Sequence, residues 1–264
     1  MTHHEADLLD RHSYGDTPVH RLDPRAKILA TLIFVITVVS YPKYEVAALT
    51  PFALFPLLMI VLGEVPAGLI MKRTLIVSPF ALMIGLFNPL LDRQTMTVIG
   101  GLEISGGWLS FSSIMIRFLL SVTAVLALIA TTSFPNVCRG LTRMGVPRAL
   151  VTQLLFLYRY LFLLVEEGTR VRRARDLRAG GGSSRSLRLA AQVIGGLFIR
   201  TMDRAERIYQ SMVIRGFDGE MKMIGRLSFS TRDLSFLLGV VTGCVFLRLF
   251  PVARLIGDAV RGWI

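Results

Sequence analysis

Cysteine is nearly absent. Cys138 and Cys244 are the only two in 264 residues; they lie far apart, and Cys244 sits inside an apolar run. That excludes a disulfide framework and a CxxC metal site. No GxxxxGK[ST] loop occurs, so the chain has no nucleotide site of its own. No Ser/His/Asp set and no paired carboxylates stand out, which leaves no candidate catalytic residue. Histidine is sparse: His3, His4, His12 and His20 are the four, two of them adjacent near the N-terminus. They form no convincing ligand cluster, so no metal and no cofactor is expected. The opening stretch, MTHHEADLLDRHSYGDTPVHRLDPRAK, is too acidic and not apolar enough for a signal peptide, and residues 1–27 read as a cytoplasmic arm.

Acidic residues are in short supply. There are 18 against 30 basic ones, for a net charge of +12 and a pI of about 10.6. Such a balance fits nucleic acid, a cytoplasmic surface beside anionic lipid, or an acidic partner, and the location of the charge decides. What the chain has in plenty is grease: 53% hydrophobic residues and a mean hydropathy of +0.58, values of an integral membrane protein.

A membrane span needs roughly 17–25 mostly apolar residues. With their flanks, the runs at 28–40, 46–62, 75–91, 114–131 and 234–250 qualify, the third with Pro79 and Pro89 as bends. Residues 28–132 thus carry four spans, with an external hairpin near 96–107 around Gly100-Gly101. A sixth run, Ala149–Val165, is long enough but holds Arg159 at its centre, which costs at least about 2.5–3.5 kcal/mol on insertion. If it crossed, the 14 Lys and Arg between Glu166 and Asp233 would lie outside, against the positive-inside tendency. It is therefore assigned to the cytoplasmic side. The expectation is an all-α integral membrane protein with about five transmembrane helices, the N-terminus inside, and residues 234–264 forming the last span and an external C-terminus.

Residues 133–233 then form a cytoplasmic region with 18 basic and 8 acidic side chains, a net of +10 out of the whole +12. The basic charge belongs to a built structure beside the lipid bilayer, not to a nucleic-acid-binding tail. Arg148–Arg178 reads as one long helix, Ala179–Ser186 as a glycine-serine linker, and Leu187 to about Ile214 as a second, amphipathic helix. Gly216 is placed to take the left-handed conformation that ends it. Each helix ends with an arginine, Arg175 and Arg215, a residue able to hold a carboxylate with two hydrogen bonds at a helix end that favours a cation. Helix caps and lipid contacts are the plainer use of such residues. Asp23-Pro24 before the first span reads as an N-cap with proline at the first helical position.

At these residues the chain resembles the transmembrane T-component of energy-coupling factor (ECF) transporters, particularly the cobalt/nickel CbiQ type. HRLDPRAK at His20–Lys27 is similar to the family's N-terminal signature, and the two long helices are similar to its coupling helices. The family's arginine motif is usually Ala-Arg-Gly or Ala-Arg-Ser. Here the triplets are Ala174-Arg175-Asp176, which departs at its third position, and Ile214-Arg215-Gly216, which departs at its first. The resemblance implies a non-catalytic subunit of the bacterial cytoplasmic (inner) membrane that binds two ATP-binding cassette ATPase subunits through those six residues. It also implies a substrate-binding S-component as a membrane partner, with cobalt or nickel as cargo. A vitamin-type T-component, and a secondary carrier or channel subunit, stand as alternatives. A carrier predicts ionisable residues inside several spans or inverted repeats; Arg117 and Arg248 lie near span ends, and no repeat is visible.

Overall fold

The computed structural model describes residues 15–42, 46–91, 95–99, 102–178, 187–221 and 229–250. The His3, His4, His12, Gly100-Gly101, linker and C-terminal assignments lie outside them. The chain forms two compact units, residues 1–140 with 226–264, and residues 141–225. The basic region drawn from sequence at 133–233 is thus wider than the second unit. Ser133 and Asp233 are buried, and Gly140 lies against Pro24 and Ile28, all within the first unit.

The first unit is apolar on its outside as well as in its core. Its helices are α1 (Pro24–Val39), α2 (Val46–Leu49), α3 (Leu54–Leu62), α4 (Ala67–Leu91), α5 (Gly106–Thr131) and α9 (Thr231–Leu249). Leu75, Phe80 and Met83 of α4 are 68%, 68% and 65% exposed. Lys27, Thr31, Ser113 and Thr131 are buried. Apolar residues outside and polar or small residues between helices is the arrangement a lipid solvent imposes, because lipid tails give helices no hydrophobic reason to associate. Ala124, Ala127 and Ala130 of α5 are fully buried and let its neighbours approach closely, around a core that includes Phe34, Leu49 and Phe52.

Two local features differ from a uniform run of spans. The second apolar run breaks into α2, a 3₁₀ turn at Thr50–Ala53 and α3, with Pro51 in the turn. Helix α4 instead continues through Pro79 and Pro89. Pro79 has no N–H for the carbonyl of Leu75 four residues back, and the Ser78 hydroxyl donates to that oxygen at 2.9 Å. Between α4 and α5, β1 (Thr95–Ile99) pairs antiparallel with β2 (Leu102–Ser105).

Three described helices are long and apolar enough to cross a membrane: Ala67–Pro89, Gly106–Thr131 and Arg148–Leu177. The last contains the run assigned above to the cytoplasmic side. Length and composition admit it; Arg159 and the charge that follows are the reasons against.

The HRLDPRAK segment acts as a structural clasp. The Asp23 carboxylate accepts from the Arg25 N–H at 2.9 Å and caps α1, with Pro24 at its first position, as the sequence pattern indicates. The Asp23 N–H donates to Asp233 Oδ1 at 2.7 Å, while Asp233 Oδ2 accepts from the Ser230 N–H in a capping box at the start of α9. One buried carboxylate therefore ties α1 to α9. Helices α1 and α5 exchange cations: Lys27 Nζ donates to the Thr131 carbonyl at the end of α5 at 2.8 Å, and Arg117 Nη2 of α5 donates to the Pro42 carbonyl just past α1 at 2.6 Å. Each cation meets carbonyls that a helix end leaves without partners.

Candidate partner-binding hairpin

The second unit is built on α7 (Arg148–Arg178) and α8 (Leu187–Ile214). The preceding α6 (Phe134–Arg143) ends at Gly145, φ +98°, and Pro147 precedes the new helix. Leu197 lies beside Gly168, and Phe217, just past α8, packs on Phe156 with ring centroids 6.1 Å apart. The two helices therefore run antiparallel.

Their C-terminal ends point opposite ways, and the two arginine triplets part accordingly. Arg175 lies one turn from the end of α7, and Arg215 directly follows the last residue of α8. At 1.5 Å per helical residue, they are separated by on the order of 30 Å along the hairpin. The structure does not bring the six candidate residues together; it places them as two separate triplets.

The Arg215 site is sharply formed. Gly216 has φ +82°, its N–H donates to the Val213 carbonyl at 2.9 Å, and the Phe217 N–H donates to the Met212 carbonyl at 3.0 Å. This is a Schellman ending with glycine in the left-handed position. It leaves Ile214 86% exposed and Arg215 exposed beside it. The chain beyond is fastened back onto the start of α7. Arg148 Nη1 donates to both Glu220 carboxylate oxygens at 2.8 Å, and the Met221 N–H reaches Thr152 Oγ1 at 3.5 Å. The Arg148 guanidinium is held charged by that partner.

The Arg175 site is a continuous helix. Ala174 and Asp176 are exposed, and Arg175 is half-buried. One turn earlier, Arg170 bonds Glu166 at 3.0 Å and lies 3.9 Å from Glu167. The two glutamates thus compensate one of the arginines in the basic tip.

Sequence reasoning missed a third feature. Arg159, Arg204, Arg207 and Arg215 line one cavity of about 350 Å³ between α7 and α8. Arg204, Arg207 and Arg215 recur at helical spacing, which was a signal; that Arg159 faces them required the helix pairing. No group of three or more His, Cys, Asp or Glu suited to a metal ion occurs among the described residues, and His20 Nδ1 is bonded to the Thr17 hydroxyl at 2.7 Å.

Comparison with known proteins agrees with this architecture. The family model described as "Cobalt transport protein", CbiQ, matches residues 15–224. A Methanocaldococcus jannaschii protein of uncharacterised role is 27% identical over 88% of this chain and 82% of its own. The cobalt transport protein CbiQ of Rhodobacter capsulatus is 37% identical over 37% of this chain and 40% of its own. The energy-coupling factor transporter transmembrane protein EcfT of Streptococcus thermophilus is 24% identical over 89% of this chain and 94% of its own. With membrane helices of this kind and a family match across most of its length, the chain belongs to the CbiQ family of cobalt transport proteins, the transmembrane T-components of ECF transporters.

Proposed function

We propose that this chain is the coupling subunit of an ATP-driven cobalt importer in the cytoplasmic (inner) membrane of a bacterium. It carries no catalytic site. Two ATP-binding cassette subunits each receive one triplet, Ala174-Arg175-Asp176 or Ile214-Arg215-Gly216, with the guanidinium held by carboxylates in an acidic groove. A separate S-component binds the metal and is reoriented when ATP closes the ATPase pair and the two grooves approach. The supporting observation is the placement of two helix-end arginines at opposite ends of one hairpin. Two separate sockets fit that geometry; a single binding surface does not. Rigid helices between the two ends make the hairpin a transmission element. Cobalt as cargo rests on the family match; nickel, or a vitamin as in a vitamin-type T-component, is the alternative cargo.

The test is reconstitution. The chain, its neighbouring ATPases and its S-component in proteoliposomes should take up cobalt only with ATP, and nickel or vitamins less well. Uptake without the ATPases would overturn the coupling role and return the carrier reading. Orientation is tested separately by Ser183→Cys in a chain lacking Cys138 and Cys244. An impermeant thiol reagent should leave it unlabelled in intact cells; labelling from outside would restore a sixth span at Ala149–Val165.

A further inference from the structure

The four-arginine cavity is not explained by sockets at the hairpin's ends. Arg159, Arg204 and Arg207 lie away from the tip, and none of the four guanidiniums forms an ion pair with a carboxylate among the described residues. Nearby arginines of the same hairpin are compensated: Arg148 by Glu220 and Arg170 by Glu166. The residues lining the cavity include no acidic side chain. All four arginines are exposed, so solvent screens their mutual repulsion, and together they form a concentration of positive charge suited to an anion.

The cavity adjoins a second of about 830 Å³, which shares Phe156, Tyr160, Arg204, Arg207, Ile208 and Met212 with it. The larger one is mostly apolar, with Leu163, Leu164 and Phe217 in its wall beside Glu167 and Arg200. On the same two helices, Leu157, Leu161, Met202, Tyr209 and Val213 are exposed. An exposed apolar surface of this extent beside clustered arginines is the composition of a surface that meets anionic lipid.

We infer that the α7–α8 hairpin holds an anionic phospholipid, its phosphate among Arg159, Arg204 and Arg207 and an acyl chain in the apolar cavity. Guanidinium groups suit a phosphate because they present paired N–H donors in one plane. The apolar cavity supplies what a free phosphate would not need. Arg215 also lines the cavity and is assigned to the tip.

The experiment uses the full chain in nanodiscs of phosphatidylcholine alone or with phosphatidylglycerol, and in detergent for native mass spectrometry. Wild-type protein should retain phosphatidylglycerol over phosphatidylcholine and melt at a higher temperature in its presence. Arg159→Gln with Arg204→Gln and Arg207→Gln should reduce that preference roughly tenfold or more, while melting in phosphatidylcholine alone stays near wild type. The comparison protein carries Arg170→Gln, Arg172→Gln and Arg173→Gln, the same loss of charge elsewhere on α7, and should keep the preference. Met212→Asp, with every arginine intact, should weaken retention by blocking the acyl chain. Equal loss in the two triple variants would overturn the site in favour of general surface charge. Stabilisation by soluble glycerol phosphate as large as that by the lipid would overturn the acyl-chain assignment. Displacement of the lipid by an acidic protein subunit, with no lipid bound in the assembled complex, would assign the cavity to that protein instead.

Discussion

Charged residues serve opposite purposes in the two units. In the first, Asp23, Lys27 and Asp233 are buried, and each is engaged by backbone groups of another helix or of a helix start. In the second, Arg159, Arg204, Arg207 and Arg215 gather about a cavity with no carboxylate among the described residues to meet them. Buried charges bonded to the backbone of another helix hold a fold together, and removing one partner strands the other. Exposed arginines that meet no carboxylate among the described residues are not part of such internal ties. The number of charges does not separate the two roles; where their hydrogen bonds go does.

The sharpest break between the roles is the double substitution Arg175→Ala with Arg215→Ala. Truncating one partner of a buried, hydrogen-bonded pair costs about 2–5 kcal/mol, so losing both sockets should release the ATPases in detergent and abolish ATP-driven uptake. The melting temperature of the isolated chain should hardly move. Lysine at either position should rescue only in part, because it keeps the charge without the fork. Arg172→Ala and Arg173→Ala are the controls for basic charge; Arg207 is unsuited because it shares a cavity with Arg215. If the controls release the ATPases equally, the sockets do not exist.

Asp233→Ala should show the reverse pattern. It strands the Asp23 and Ser230 N–H groups, at about 1–3 kcal/mol for each one left buried without a partner. Thermal melts in detergent should drop clearly, whereas ATPase retention at low temperature should survive. Asp233→Asn keeps a carbonyl acceptor and should recover part of the loss. An unchanged melt for Asp233→Ala would mean that the clasp contributes nothing.

Ser78→Ala probes a smaller repair. It leaves the Leu75 carbonyl without its donor next to Pro79, costing about 1 kcal/mol, and Ser78→Thr should restore the melt. The smallest expected change is a gain. Glu64 sits at φ +50°, in the left-handed region, so Glu64→Gly should stabilise by up to about 1 kcal/mol. Gly63→Ala next to it should destabilise, because an added Cβ would lie 2.7 Å from Thr131 Cγ2. If Glu64→Gly lowers the melt, relief of backbone strain is the wrong account.

Features set by neighbouring residues were readable in the sequence. Arg148–Arg178 and Leu187–Ile214 are the helices marked off by Pro147, the glycine-serine linker and Gly216. Asp23-Pro24 announced its cap for the same reason. The break at Pro51 was less visible, since both halves of that run are apolar and proline at a turn or in a span reads alike. Nothing local distinguishes Lys27 from a boundary lysine; its burial depends on a carbonyl 104 residues away. Asp233 had looked like the end of a basic region, yet its partner is 210 residues upstream. The candidate arginines were identified by position at helix ends, but their separation along the hairpin came only with the antiparallel pairing.

The clasp also sets a schedule for biogenesis. A ribosome adds about 5–20 residues per second, and Thr131 and Asp233 follow Lys27 and Asp23 by 104 and 210 positions. Lys27 therefore waits about 5–20 s for its acceptor, and the Asp23 N–H about 10–40 s for its own. During that interval the polar end of α1 lacks both of these partners. Helix α9, made late, supplies the carboxylate on which the start of α1 depends. A chain stopped after residue 225 would retain every residue of the hairpin and still lack the carboxylate that joins α1 to α9.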